Sequence, residues 1–125
     1  MIQIRQGVFE TNSSSTHAIS VCSGADYDAL KNGTALINSS LDILPLEAAK
    51  LANEKVREEI RNCWTKYGKK EADFTAEDVE EELVDWGGYV SYDELYENSN
   101  YEFFTRRTTI GGVDVVAFGY YGYDY

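Results

Sequence analysis

The stretch Gly7-Val8-Phe9-Glu10-Thr11-Asn12-Ser13-Ser14-Ser15-Thr16-His17 gathers the residue types that phosphate binding or acid–base chemistry needs. Backbone N–H groups of a tight turn, with the hydroxyls of Thr11, Ser13, Ser14, Ser15 and Thr16, would cradle a phosphate or a carboxylate. His17, the only histidine of the chain, would carry a proton and Glu10 would orient its ring. Glu10, Ser14 and His17 are the catalytic candidates of this reading. Thr11, Ser13, Ser14, Ser15, His17 and Arg106 are its ligand contacts. The loop has neither the glycines nor the lysine of a P-loop, and no G-x-S-x-G elbow. The competing reading is a hairpin loop whose hydroxyl and amide side chains satisfy its own backbone.

A second constellation is electrostatic. Twelve carboxylates lie between Glu71 and Glu102 with no lysine or arginine among them. Seven of the eleven basic residues fall instead between Lys50 and Lys70, so charge is segregated along the chain. Glu77/Glu81 and Asp78/Glu82 are like-charged pairs at i,i+4, which cost a helix a few tenths of a kcal/mol each. Such a surface suits a basic groove, in the manner of a nucleic-acid mimic, and complementary potential would steer the encounter. The alternative is a solvated face that keeps the protein in solution. The residues expected to meet a partner are Glu77, Asp78, Glu81, Glu82, Asp85, Tyr92, Glu94, Tyr121 and Tyr123. No D-x-[DN]-x-[DN]-G loop is present, so calcium is not expected, nor is any other metal or cofactor.

The adjacent arginines Arg106 and Arg107 alternate to opposite faces of a strand, so one of them can enter a given site. The tyrosine-rich tail places Tyr121, Tyr123 and Tyr125 on one face. It reads as an aromatic edge for a protein partner or for a second copy, or as a frayed last strand.

The run GVFETNSSSTHAISV resembles the N-terminus of a group of small uncharacterised proteins of bacteriophages and prophage-bearing bacteria. The match covers about the first fifth of the chain. It implies a mobile-element setting and brings no activity with it, so no catalytic residue is carried over from it.

Composition narrows the classes. The chain has 125 residues, 43% hydrophobic and 14% aromatic, which suits one packed domain over residues 1–125 and not a disordered acidic tail. A net charge of −11 and a pI near 4.4 argue against direct nucleic-acid binding, which needs clustered lysine and arginine. No apolar run has signal-peptide or membrane-span length, so a cytoplasmic protein, within a host cell, is expected. Cys22 and Cys63 fit no metal spacing and read as reduced thiols, with a single disulfide as the alternative.

The elements that must position these groups follow in order. Met1–Phe9 and Ala18–Cys22 read as paired strands with a possible bulge at Gly7, followed by a short helix that Asn32-Gly33 closes. Thr34–Asn38 is a short strand. Pro45 opens one long helix at its first position, with the stripe Ala49, Ala52, Val56, Ile60, Cys63 and Tyr67, widened by Trp64, and Gly68 at its end. Thr75 caps a second helix with Asp78 in a capping box and Phe74 against Val79. Its inner face is Val79, Leu83 and Trp86, and Gly87-Gly88 stops it. Ser91 caps a third, Tyr92–Glu97. Two strands around Gly111-Gly112 close the chain. The expected fold is α+β: an antiparallel sheet built from N-terminal and C-terminal hairpins, with one long and two or three short helices packed on one face.

The functional expectation is an acidic phage-type protein that binds and inhibits a basic host protein, such as a defence nuclease, in the manner of an anti-CRISPR. A small enzyme or phosphate binder at the Thr11–His17 loop, and a self-associating structural protein, are the alternatives.

Overall fold

The computed structural model describes residues 3–10, 15–68, 75–97 and 100–123, with side chains described for 18–68, 75–97 and 100–122. The elements are β1 (Gln3–Glu10), β2 (Ser15–Ser23), α1 (Gly24–Asn32), β3 (Ala35–Ile37), β4 (Ile43–Pro45), α2 (Leu46–Lys66), α3 (Ala76–Glu82), α4 (Tyr92–Glu97), β5 (Glu102–Ile110) and β6 (Val113–Tyr123). The fold is the expected α+β arrangement.

Both hairpins form. They join side by side into one antiparallel sheet of order β1-β2-β6-β5. Between Gln6 and Phe9, the segment holding Gly7, β1 spends one more residue than β2, which is a bulge. The tyrosine tail is not an edge: β6 runs between β2 and β5 and stays paired as far as Tyr123, opposite Ser15.

One face of this sheet is the core. Ala18, Ser20 and Cys22 of β2 lie opposite Tyr120, Phe118 and Val116 of β6, and all six are buried. Helix α1 packs on this face. Ser23 accepts the Asp26 N–H at 3.1 Å as its N-cap, and Gly33 ends it at φ 87°. The long helix α2 lies in a second tier, against β3, β4 and α3. Ile60 and Val79 are buried together there, with Val56 and Trp64 against them.

Several boundaries differ from the sequence reading. Pro45 is the N-cap of α2 and not its first residue, because β4 claims it as the partner of Ala35. Strand β4 itself carries no sequence signal, since three residues are too few to show a period. Asn38 shapes the turn that brings it back, its Oδ1 accepting N–H groups from Ser40 and Asp42. Tyr67 leaves the apolar stripe and is 79% exposed, as α2 ends before it. Helix α3 stops at Glu82 rather than Trp86: the chain tightens into turns from Leu83 to Gly88, and Trp86 is swung outward. Phe74 lies outside the described residues. Cys22 and Cys63 are free thiols.

Candidate functional site

The acidic segment is set in place from both ends. At Thr75 the capping box forms: the hydroxyl accepts the Asp78 N–H at 3.2 Å and the Asp78 carboxylate accepts the Thr75 N–H at 2.8 Å. Asp78 is thus engaged by the backbone. Buried Val79 and Leu83 then anchor α3. Gly87 turns the chain at φ 87°, and Gly88 comes so close to Leu83 that a Cβ there would lie 2.4 Å from the leucine Cγ. Val90 bridges Ile37 through both backbone groups at 2.8 Å. Ser91 Oγ accepts the Glu94 N–H at 3.1 Å and starts α4.

A groove of about 480 Å³ results between α3 and α4. Leu83, Val84 and Val90 supply apolar walls, and Glu80, Glu81, Asp85 and Glu94 supply carboxylates; among the described residues no basic one lines it. Glu80 is held by Arg57 of α2 at 2.5 Å, and the same guanidinium reaches Glu54 at 2.7 Å. Glu81, Asp85 and Glu94 are exposed and form no ion pair among the described residues. A neighbouring cavity of about 250 Å³ shares Val84 and Asp85 and runs on to Leu95, Tyr101, Phe103 and Tyr120.

The twelve carboxylates therefore do not make one face. Arg57 neutralises Glu80, Lys31 stands 3.8 Å from Asp93, and Glu102 lies on the far side of the sheet. Glu71 and Asp73 lie outside the described residues. Glu77 is exposed and Glu82 half-buried, and neither lines the groove.

Tyr92 and Tyr121, expected beside the carboxylates, do not line the groove. Tyr92 is 7% exposed and belongs to the core, its ring 6.0 Å from those of Tyr27 and Phe103 and 6.2 Å from Phe118. Tyr121 faces away from the helices and donates its hydroxyl to Glu102 Oε2 at 2.5 Å, which raises its pKa. Of Tyr123 only the backbone is described. The aromatic residues that do meet the groove's extension are Tyr101, Phe103 and Tyr120; for Phe103 on β5 and Tyr120 on β6 the signal in the sequence was strand alternation.

Thr11, Ser13 and Ser14 of the hydroxyl loop lie outside the described residues. The backbone places Glu10 opposite Thr16, and His17 between Phe9 and Tyr121. Arg106 pairs with Ala117, four residues along β6 from Tyr121. That is about 13 Å along the strand from the position of His17. Its neighbour Arg107 turns to the other face and bridges Asp28 and Asp114.

No protein-family model, no curated protein and no solved structure matches this chain.

Proposed function

We propose that this protein acts by binding, and that the groove between α3 and α4 receives a basic segment of a partner protein. The observation that carries this reading is the placing of Glu81, Asp85 and Glu94 around apolar Leu83, Val84 and Val90. A lysine or arginine could lay its aliphatic stem along those walls and bring its charge to the carboxylates. The partner class is a basic, nucleic-acid-binding protein of a host cell, such as a defence nuclease. Occupation of its basic groove would block the nucleic acid. The resemblance of the GVFETNSSSTH run to phage and prophage proteins, and the net charge of −11, fit that role.

The test compares the wild-type chain with the triple variant Glu81→Lys, Asp85→Lys, Glu94→Lys as immobilised bait for host nucleic-acid-binding proteins at low and high salt. The wild type is expected to retain a basic nuclease that elutes as the Debye length shortens, and to slow its cleavage of DNA. The variant is expected to lose both effects. Undiminished retention and inhibition by the variant would overturn the reading.

A further inference from the structure

The two edges of the main sheet differ. β1 carries a bulge, a common device against edge-to-edge association, whereas β5 keeps unbroken register with β6 from Glu102 to Ile110 and contains neither bulge nor proline. Among the described strands none pairs with the outer side of β5. Its nine residues thus form an uninterrupted edge strand.

The side chains of β5 that point away from the helices begin with Glu102, Phe104 and Arg106 and continue with Thr108 and Ile110. Glu102 bonds Tyr121 on that face and the Phe104 ring stands 6.4 Å from that of Tyr121. Strand alternation adds Arg106, which is exposed. The order is acid, aromatic, base, with one residue between each. An antiparallel copy of this strand is complementary to it in one register. With Phe104 opposite Phe104, Glu102 of each chain faces Arg106 of the other, twice over. With the axis on Arg106 instead, two guanidinium groups would meet.

We propose that β5 is an interface between two copies of this chain, paired antiparallel about a two-fold axis through Phe104, with Glu102 of each protomer facing the partner's Arg106. The interface is isologous and closes at two, joining two four-stranded sheets into one of eight. It uses nothing of the α3–α4 groove, so it stands or falls apart from the binding role proposed above.

The experiment measures the mass of the full chain by sedimentation from micromolar to millimolar concentration. The wild type is expected to pass from monomer to dimer. Arg106→Glu sets acid against acid, and Glu102→Arg sets base against base. Each is expected to weaken self-association about tenfold or more, as like charges directly opposite destabilise a strand pair. An equimolar mixture of the two variants restores both opposite-charge pairs and is expected to form a heterodimer. The double variant Glu102→Arg, Arg106→Glu is expected to dimerise alone, which controls for loss of the Tyr121 bond. A wild-type chain that stays monomeric throughout overturns the proposal, as does a mixture no more associated than either variant alone.

Discussion

Asn53 of α2 grips the backbone of Tyr89 on both sides, its Oδ1 accepting the Tyr89 N–H at 2.6 Å and its Nδ2 donating to the Tyr89 carbonyl at 2.8 Å. The amide is 5% exposed, on a stretch of helix where the apolar stripe would predict a hydrocarbon. It mimics a strand partner for one residue. It thereby fixes the segment that leads to the Val90–Ile37 bridge and to one wall of the acidic groove.

Asn53→Leu keeps the branched shape of the side chain and removes both of its bonds to Tyr89. A loss of about 1–3 kcal/mol in unfolding free energy is expected from urea denaturation, since each of the two hydrogen bonds contributes about 0.5–1.5 kcal/mol net.

Arg107 ties α1 to the last hairpin, donating to Asp28 at 2.8 and 3.1 Å and to Asp114 at 3.0 Å. Its guanidinium holds both carboxyl pKa values below the usual range. A carboxylate with a depressed folded-state pKa contributes stability that is present above its unfolded value and is lost as pH falls through the folded one. Wild-type stability should therefore decline below about pH 4. In Arg107→Gln that decline should be shallower and stability at neutral pH lower. Denaturation midpoints measured against pH check both.

Gly119 and Gly33 are glycines for different reasons. A Cβ on Gly119 would lie 2.0 Å from the Ala18 carbonyl oxygen, on the strand paired beside it, so the central β2–β6 contact would have to open. Gly33 has open space around it and needs glycine only for its φ of 87°. Gly33→Ala is expected to cost about 1 kcal/mol. Gly119→Ala is expected to cost more than about 2 kcal/mol, with loss of cooperative unfolding as the extreme. Equal thermal midpoints for the two variants would contradict this account.

Burial raises the Cys22 thiol to about 11, and its residue is 3% exposed. The thiolate that reacts with maleimide is scarce there at neutral pH and sterically covered. Cys63 on α2 is half-buried. Native protein should label at Cys63 alone and denatured protein at both, as peptide mapping by mass spectrometry would show.

By itself the sequence determined what depends on neighbours a few residues apart. Thr75 and Ser91 cap their helices as read, Gly33 ends α1, and both hairpins form, since caps, periods and turns are written within four residues of where they act. Tertiary structure alone decided which distant faces meet. It set β6 inside the sheet, and Asn53 on a backbone 36 residues away. It brought Arg107 to Asp28 across 79 residues. Of the four carboxylates it gathered around one groove, it spent Glu80 on Arg57 and left Glu81, Asp85 and Glu94 without an ion pair among the described residues. A charge pattern along a chain fixes how many carboxylates there are. Packing fixes which of them find a cation, because that depends on the approach of helices whose order the pattern does not encode.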